Sequence, residues 1–518
     1  MAKRKKESKK ISNEKTDDVK SIDCLLAFPR PTRDSPLQEV ALSIFCLGAY
    51  LEKRGFVVDY IDERFDPPER VHELAKKALA IGVSTMTGFQ LVETKRILLK
   101  VREDNPGIIT IVGGVHPTLM PSECIKQEFI DFVVMREGEQ TLYELMSLLK
   151  KRKGADLFSK ENQAAYSKIQ GLVWKKGRKI GVSKDRSKAG FTINPPRPFM
   201  DTKDIPFPLT KKSKRYFEIS GKVGELSYQT SRGCPNNCNF CYNQIFNQSR
   251  WRPLPIDKIE KEVDALKKEI KFSGMMLIDD NLGPSVERMR KVGDIMRKNK
   301  IRWHVNIRCN YINDHTAKIL EAGNCESLLL GVESGSDRIL KEVINKGYPN
   351  GVEDIKTCAR ALGKTKVRSI YSFMCNIPTE TKKELRMSMK LADYIDHVDP
   401  NSRISFYVYA PYPGTRLFNY AIHHGYKEPK TFEEWSKFTL SEADPHAENI
   451  YYIAGLRFRS KKGDRTDQNF PGWRRLKIKP FEMLCRLRWR LRFFSFFSLE
   501  KAIIKRLIQK ASQRVRKE

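Results

Sequence analysis

The sequence predicts an α/β protein with an N-terminal doubly wound, Rossmann-like domain, a partial (β/α)6 TIM-like barrel and a basic helical C-terminal region. Two series of short apolar strands alternating with amphipathic helices, over residues 22–150 and 224–425, indicate two mainly parallel sheets. The chain of 518 residues is also too long for one ordinary core. Beyond residue 471 the composition changes, with 15 Lys and Arg against three Glu.

These patterns divide the chain into five predicted segments. They are a disordered basic tail (1–20), the Rossmann-like domain (21–152), a linker with a hairpin (153–220), the barrel (221–425) and a basic C-terminal extension (426–518). No apolar run is long enough for a membrane span, and no apolar stretch follows the basic N-terminus, so we expect neither a spanning helix nor a secretory signal. Eleven cysteines, eight of them isolated, favour the reducing cytoplasm.

Five strands are predicted in the N-terminal domain, each followed by a helical pattern. The strands are placed at 24–28, 57–61, 80–84, 108–114 and 132–134, and the main helices at 37–54, 71–79, 92–102 and 139–150. Ligands of such sheets bind beyond the carboxyl ends of the strands. Ser84 with Thr85, and Gly113 with Gly114, follow two of these strands and lie in the predicted crevice.

The linker and the barrel come next along the chain. A hairpin is predicted from residues 171–174 and 179–182, and Pro-rich residues 194–208 indicate extended chain. The barrel strands are predicted at 225–230, 275–278, 302–306, 327–332, 368–375 and 403–409, with helices such as 256–270 and 285–298 between them. Six β/α units predict an active site at the carboxyl ends of the barrel strands.

Three cysteines follow the first barrel strand directly. Cys234, Cys238 and Cys241 have the spacing C-x3-C-x2-C. Three thiolates in this spacing bind three irons of one cubane and leave the fourth iron without a protein ligand. A zinc knuckle needs a fourth Cys or His, and residues 227–252 contain none. The spacing therefore predicts a [4Fe–4S] cluster.

The motif C-x3-C-x-aromatic-C, with Phe240 as its aromatic residue, resembles that of the radical SAM superfamily. The resemblance implies that S-adenosylmethionine (SAM) chelates the open iron through its amino and carboxylate groups. One electron, from a reductant such as flavodoxin or ferredoxin, then cleaves SAM to methionine and a 5′-deoxyadenosyl radical. That radical abstracts hydrogen from the substrate, while the protein supplies orientation and excludes water.

Other segments carry the same resemblance and imply SAM-binding residues. Glu333 and Ser336 match the segment that approaches the ribose hydroxyls. Asp280 stands where many members have Gly-Gly-Glu, and it is assigned to the SAM ammonium group. Pro378 lies in a segment like the one near adenine, and Tyr409–Thr415 resembles the sixth-strand turn of the cobalamin-binding branch. Carboxylates at strand ends are also often helix caps, and this alternative stays open.

Residues 22–150 resemble the cobalamin-binding domain that precedes the barrel in that branch. The resemblance implies that Gly113 and Gly114 let backbone approach the corrin or its nucleotide tail, and that Ser84 and Thr85 hydrogen-bond the tail. Because no Asp-x-His-x-x-Gly loop follows the first strand, we expect cobalt to carry water or no lower ligand. His116 is a further candidate cofactor-binding residue, with a turn-structuring role as its alternative. A generic doubly wound domain, or one that has lost the corrin, also stays open.

The basic C-terminal region has two interpretations. Residues 486–497 interleave Arg with Leu, Trp and Phe, and residues 499–515 have the pattern of an amphipathic helix with basic flanks. This combination suits an anionic membrane surface, so we expect a cytoplasmic enzyme with peripheral contact at the inner membrane face. The alternative is a terminal helix packed on the barrel with a solvated basic side. The net charge of +33 suits an acidic partner, but no RNA-binding motif is visible, so nucleic acid is not expected.

The sequence thus predicts a cobalamin-dependent radical SAM enzyme that modifies an unactivated carbon of a hydrophobic, lipid-like or tetrapyrrole-like small molecule. It resembles the hopanoid methylase and anaerobic porphyrin cyclase members, so a methyltransferase and a cyclase or oxidoreductase both stay open. Two further hypotheses are a radical SAM RNA-modifying enzyme and a non-catalytic Fe–S or corrinoid-binding protein. The chain has no second cysteine cluster like that of the methylthiotransferases.

Overall fold

The computed structural model describes residues 21–31, 40–177, 190–223, 225–437, 445–458 and 472–495, with the single residue 502. The predicted disordered tail at 1–20 and the predicted second hairpin strand at 179–182 lie outside the described residues. So does the predicted helix at 499–515, apart from residue 502.

The N-terminal domain is built on a seven-stranded sheet with the order β2-β1-β3-β4-β5-β6-β7. Its strands are β1 (Ile22–Phe28), β2 (Val58–Asp62), β3 (Ala78–Ser84), β4 (Ile109–Gly113), β5 (Phe132–Val134), β6 (Leu172–Lys175) and β7 (Phe191–Ile193). The first five strands are parallel, which confirms the doubly wound fold. The strand order changes direction between β1 and β3, and a ligand crevice opens at such a point.

The predicted pairing of the hairpin is wrong. β6 pairs antiparallel with β5 on one side and with β7 on the other, so it has no edge left for residues 179–182. All four residues of β6 are buried, and Trp174 packs against Tyr166 with ring centroids 5.7 Å apart. Strands β6 and β7 therefore extend the first sheet beyond β5.

Helices cover both faces of this sheet, as its buried strands require. They are Leu42–Glu52, Glu69–Ala75, Gln90–Asp104, Val115–Leu119, Pro121–Lys126, Glu139–Lys151 and Lys160–Tyr166. A tight turn joins β4 to the helix Val115–Leu119 at Gly114, whose φ is +99°. A Cβ at Gly114 would lie 2.7 Å from the carbonyl oxygen of Thr85, so the turn requires glycine.

The second sheet has six parallel strands in the order β15-β14-β13-β12-β11-β8, as the partial barrel predicts. Its strands are β8 (Glu225–Tyr228), β11 (Gly274–Leu277), β12 (Arg302–Ile307), β13 (Cys325–Glu333), β14 (Arg368–Cys375) and β15 (Ser402–Val408). The short strands β9 (Ser231–Arg232) and β10 (Arg252–Pro253) pair antiparallel at the base of the cysteine loop. Helices in this part of the chain are Lys214–Val223, Asn243–Phe246, Ile256–Glu269, Val286–Lys298, Asp314–Ala322, Val352–Leu362, Lys382–Val398 and Arg416–His423.

The barrel strands bury one face more deeply than the other. In β14, Tyr371, Phe373 and Cys375 are fully buried, whereas Ser372 and Met374 between them are only partly buried. Side chains alternate between the two faces of a strand, so the second face borders open space inside the barrel.

Among the described residues, three helices follow the barrel. Phe432–Ser436 returns to the N-terminal domain, where Lys95 pairs with Glu433. Pro445–Arg457 packs on β15, and Gly472–Leu491 packs on Pro445–Arg457. In the described residues no helix combines the length and apolar character needed to cross a membrane.

Trp489 anchors the last of these helices to the barrel. Its side chain is 2% exposed, and its indole N–H donates to Asp393 at 2.8 Å. The helix Gly472–Leu491 therefore agrees with the alternative of a terminal helix packed on the barrel. Trp489, which was expected at a membrane surface, is buried against the protein instead.

Candidate active site

Two cavities adjoin at the carboxyl ends of the two sheets. The first, of about 370 Å³, lies between the domains and is called the interdomain cavity here. The second, of about 880 Å³, lies at the mouth of the barrel and contains all three motif cysteines, so it is called the cysteine cavity. Asp280, which follows β11, lines both cavities. The two cavities therefore adjoin at this residue.

Cys234, Cys238 and Cys241 lie together on the wall of the cysteine cavity. The side-chain amide of Asn236 donates to Sγ of Cys234 at 3.3 Å, and Nη1 of Arg308 donates to Sγ of Cys238 at 3.1 Å. Such N–H donors stabilise thiolates and tune the metal group that they hold. Burial raises the pKa of the Cys241 thiol to about 12, so this cysteine needs a cation to become a thiolate.

The donor set suits a cubane, because a [4Fe–4S] cubane takes one cysteine thiolate on each of three irons. Within the described part of the chain, no three His, Cys, Asp or Glu side chains are arranged to hold one metal ion. All eleven cysteines are free, which leaves the three thiols available.

The cysteine loop is held to β11 through its first turn. Gly233 has a φ of +82°, and a Cβ there would lie 2.1 Å from the carbonyl oxygen of Arg250. The backbone N–H of Gly233 donates to Oδ2 of Asp280 at 3.0 Å. Burial raises the pKa of Asp280, while this N–H opposes the rise. The neighbouring Asp279 has a structural role, because it accepts from the N–H and hydroxyl of Thr230, both at 2.6 Å.

The SAM-binding residues expected from the sequence have different placements. Glu333 lines the cysteine cavity with a φ of +70°, and its carboxylate accepts from Nζ of Lys346 at 2.6 Å. Ser336 is 2% exposed and donates to Glu384 at 2.9 Å, and it lines neither cavity. Pro378 also lies outside both linings. The structure thus brings Asp280 and Glu333, but not Ser336 and Pro378, to the cysteines.

Sequence reasoning missed several polar residues of the cysteine cavity, among them Asn306, Arg308 and Lys346. Asn306 lies on β12, Arg308 just beyond it, and Lys346 in the segment after β13. Asn306 and Arg308 had only their position near the end of a predicted barrel strand as a signal, which many residues share, and Lys346 lies well beyond β13 without this signal.

Ser84, Thr85, Gly113 and Gly114 line the interdomain cavity, as predicted for the crevice. Its other walls are mostly apolar, formed by Leu26, Leu42, Leu47, Ile111, Val134 and Leu142. Gly138 and Leu47 approach closely on one side of this cavity, because a Cβ added at Gly138 would lie 3.1 Å from the Leu47 side chain. An apolar slot with hydroxyls at strand ends suits an aromatic base, and its volume suits a part of a corrinoid rather than the whole molecule.

His116 lines neither cavity. It is fully buried, with Nδ1 3.1 Å from the hydroxyl of Thr87 and Nε2 3.5 Å from Glu123. The imidazole packs against Phe432 and Trp435, with ring centroids about 6 Å apart. This placement favours the turn-structuring alternative over a contact with a cofactor. No histidine occurs among the described residues that line the interdomain cavity, in line with the absence of a histidine loop from the sequence.

A buried ion-pair network joins the two domains beside the cysteine loop. Arg232 donates to Glu137 at 2.9 Å and to Glu139 at 2.7 Å, and Arg252 donates to Glu137 at 2.6 Å. Burial opposes ionisation of Glu137, but the two guanidinium groups outweigh it and lower the pKa of this carboxyl. The motif Arg136–Glu139 therefore binds the barrel as well as bordering the cavity.

Comparisons with known proteins agree with a division into two domains. The family model "B12 binding domain" matches residues 33–146, and "Radical SAM superfamily" matches residues 228–392. An uncharacterized methyltransferase of Pyrococcus horikoshii is 31% identical over 352 residues, which cover 66% of this chain and 69% of the relative. The anaerobic magnesium-protoporphyrin IX monomethyl ester cyclase of Synechocystis is 25% identical over 408 residues, 73% of this chain and 72% of the cyclase.

A solved structure shares the fold of most of the chain. The cobalamin-dependent SAM radical enzyme OxsB, solved with aqua-cobalamin bound, superposes with a TM-score of 0.64 at 16% identity. The match covers 90% of this chain and 72% of that one.

Proposed function

Because the chain belongs to the radical SAM superfamily, in its cobalamin-binding branch, we propose that it methylates an unactivated carbon of a hydrophobic substrate. The enzyme uses a [4Fe–4S] cluster, SAM and cobalamin. The observation that carries the proposal is that the two cavities adjoin at Asp280. A methyl donor held beside this residue in the interdomain cavity would lie next to a substrate and SAM in the cysteine cavity.

The barrel residues position the radical chemistry. Cys234, Cys238 and Cys241 would hold the cluster, and Asp280 and Glu333 would bind the polar groups of SAM. Lys346 fixes the Glu333 carboxylate within the cavity, because the two side chains pair at 2.6 Å. When bound, the cluster with SAM supplies a substrate radical, and cobalamin supplies a methyl group.

The N-terminal domain positions the corrin. In the proposed complex, Ser84 and Thr85 hydrogen-bond the tail of the cofactor in the interdomain cavity, while Gly113 and Gly114 allow backbone to approach it. The apolar walls exclude water from this part of the site, which protects reactive species from side reactions.

The proposed substrate is a lipid-like or tetrapyrrole-like small molecule. Phe89, Phe240, Leu329 and Met374 contribute apolar surface to the cysteine cavity, and such surface binds an apolar group better than a charged one. The similar cyclase of Synechocystis is named for a magnesium porphyrin. A flavodoxin or ferredoxin is the proposed electron donor.

The products formed from SAM test the proposal. The anaerobically reconstituted protein with cobalamin, dithionite and SAM is expected to yield both S-adenosylhomocysteine, from methyl transfer, and 5′-deoxyadenosine, from reductive cleavage. An enzyme that only cyclises or oxidises its substrate yields 5′-deoxyadenosine alone, and that result would contradict methylation. The Cys238→Ala protein is expected to lose 5′-deoxyadenosine formation.

A further inference from the structure

An arginine without an anionic partner lines the interdomain cavity. Arg136 lies just after β5 and is partly buried. The side-chain amide of Gln248, oriented to suit its neighbours, accepts from Nη1 and Nη2 of Arg136 at 2.8 and 3.0 Å. Among the described residues no carboxylate pairs with this guanidinium. Because the guanidinium has further N–H donors, it can still bind an anionic ligand.

A second arginine without an anionic partner lies beside Arg136. The guanidinium carbons of Arg136 and Arg250 lie 5.9 and 6.0 Å from the ring centroid of Phe199. Arg250 is exposed, and within the described part of the chain it too pairs with no carboxylate. Burial and the charge of Arg250 both lower the pKa of Arg136, so the two cations repel each other. An anion bound by both would relieve this repulsion.

The carboxylates that line the same cavity have other partners. Glu137 and Glu139 belong to the buried ion-pair network described above. Arg252, whose guanidinium carbon lies 4.1 Å from the Phe199 ring centroid, is part of that network through Glu137. Asp280 accepts from the backbone of the cysteine loop at 3.0 Å. These contacts leave the two unpaired arginines available to an anion of a ligand.

The backbone places Arg136 beyond the two glycines that are expected to contact the cofactor tail. Gly113 of β4 pairs in register with Val134, and Arg136 follows Val134 by two residues. The N–H of Arg136 donates to the hydroxyl of Thr118 at 2.7 Å, and its φ is +58°. Arg136 therefore lies past the carboxyl end of β5, on the side from which Gln248 of the barrel reaches it.

The nucleotide tail of cobalamin carries its anion close to the corrin. The cavity of about 370 Å³ has room for a part of the cofactor, so a tail inside it continues to a corrin outside. A phosphodiester joins the base and ribose of this tail to a side chain of the corrin. Ser84 and Thr85 offer neutral hydroxyls, whereas guanidinium groups bind phosphate through charge-assisted hydrogen bonds.

From these observations we infer that Arg136 and Arg250 bind the phosphodiester of the cobalamin tail at the rim of the interdomain cavity. The inference rests on the proposed function, because it takes the tail to lie in this cavity.

Three corrinoids with the same upper ligand test the inference. Methylcobalamin has the whole tail, methylcobinamide phosphate keeps a phosphate but lacks ribose and base, and methylcobinamide lacks the phosphate as well. Each is dialysed to equilibrium, anaerobically and in the dark, against the full chain with its cluster, purified from cells grown without cobalamin. Each variant is compared with the wild-type protein on the same corrinoid, so intrinsic differences between the corrinoids cancel.

Two variants locate the phosphate. Arg136→Met is expected to weaken both phosphate-bearing corrinoids by roughly tenfold and to leave methylcobinamide within about twofold, because a hydrogen bond between charged groups is lost. Arg250→Met is expected to give the same selectivity with a loss of roughly threefold, because its side chain is exposed and changes no buried contact. Arg290→Met is the matched control without effect, since Arg290 is 55% exposed on the helix Val286–Lys298.

Arg136→Lys keeps the charge without the planar fork, and it is expected to retain more affinity for the phosphate-bearing corrinoids than Arg136→Met. Equal weakening of all three corrinoids by Arg136→Met would overturn the inference, because it would show a general change of the cavity. Unchanged binding of all three by Arg136→Met and Arg250→Met would also overturn it and would leave the arginines to another anion.

The products formed from SAM are measured on the same preparations after methylcobalamin is added. Selective weakening of the phosphate-bearing corrinoids without S-adenosylhomocysteine formation by the wild-type protein would refute methylation and leave the inference standing. S-Adenosylhomocysteine formation with unchanged corrinoid binding in both variants would refute the inference alone. A wild-type protein that binds none of the three corrinoids would refute both.

Discussion

At the scale of single residues, Cys238 has the most direct role in the account. It is the most buried of the three motif cysteines, at 6% exposure, and its Sγ accepts from Arg308. Cys238→Ala removes one of three thiolates, so we expect the iron content and the visible absorbance of the cluster to fall and SAM cleavage to be lost. Cys325→Ala changes a buried cysteine of β13 and should keep both the cluster and SAM cleavage. Full SAM cleavage by the Cys238→Ala protein would refute the assignment of Cys238 as a cluster ligand.

Glu380 offers a pH-dependent test of the loop after β14. Burial raises the pKa of its carboxyl from 4.5 to about 7, although the backbone N–H of Asn376 donates to it at 3.0 Å. Because the folded pKa is the higher one, ionising Glu380 costs stability as the pH rises from about 4.5 to about 7. Glu380→Gln should therefore stabilise the protein by about 1 to 3 kcal/mol at pH 8 and have little effect at pH 4.5.

Thermal unfolding of the wild-type and Glu380→Gln proteins at pH 8 and pH 4.5 measures this difference in stability. Glu103→Gln is the matched control, because the Glu103 side chain is 68% exposed. An equal shift of the unfolding temperature at both pH values would show that Glu380 does not titrate in the expected range.

Local spacing determines how far individual residues could be predicted. The cysteine triad is encoded within eight residues, so the sequence alone brings these three side chains to one loop. Arg308 and Lys346 reach the same cavity from segments that are far from the triad in sequence. Nothing local marks them, and only the strand order reveals their contact. Ser336 shows the converse, since its motif matches but its hydroxyl bonds to Glu384 outside the cavity.

At the scale of secondary-structure elements, the helix Gly472–Leu491 has an exposed apolar stripe. Met483, Leu487 and Leu491 recur every four residues and are 72%, 53% and 66% exposed. Arg486 and Arg490 are exposed beside them. An apolar stripe flanked by Arg suits an anionic membrane surface, so peripheral membrane contact is proposed for this stripe rather than for the buried Trp489.

Liposome flotation tests the stripe. Leu487→Asp with Leu491→Asp should reduce binding to vesicles of phosphatidylcholine and phosphatidylserine by at least about tenfold, because each change puts a carboxylate against the apolar and anionic surface. Val92→Asp is the control, since Val92 is 44% exposed on a helix of the N-terminal domain. Unchanged flotation of the double variant would exclude the stripe as the membrane contact.

Elements with strong periodicity could be predicted well, and short ones could not. The sequence places β5 and β14 at the bounds that the structure has, because each is a buried run between clear breaks. β7 has only three residues, none of them buried, so it is recognised only through its pairing with β6. The short helix Asn243–Phe246 was likewise missed, because four residues give no helical period.

At the scale of the whole molecule, the buried network of Arg232, Glu137, Glu139 and Arg252 holds the two domains together. The Arg232 side chain is 12% exposed, and those of Glu137 and Glu139 are 10% and 4% exposed. Arg232→Met leaves the buried Glu139 carboxylate without its guanidinium partner and Glu137 with Arg252 alone, and we expect it to cost about 3 to 5 kcal/mol of stability. Because the network borders the interdomain cavity, the variant should also retain less cobalamin.

Urea unfolding and the cobalt content of the purified protein measure these two effects. The control is Arg290→Met, which breaks a 3.3 Å surface pair with Asp294 and should cost at most about 1 kcal/mol. Equal stability and equal cobalt content of the two variants would show that the network does not couple the domains.

In the proposed enzyme one chain holds a cluster and a corrin in adjoining cavities, and the metal content of the protein tests this most directly. The protein is purified anaerobically from cells supplied with cobalamin and reconstituted with iron and sulfide, and its iron, sulfide and cobalt are counted. We predict about four irons, four sulfides and one cobalt per chain. Iron and sulfide without cobalt would contradict the claim for the N-terminal domain, and cobalt without iron would contradict it for the barrel.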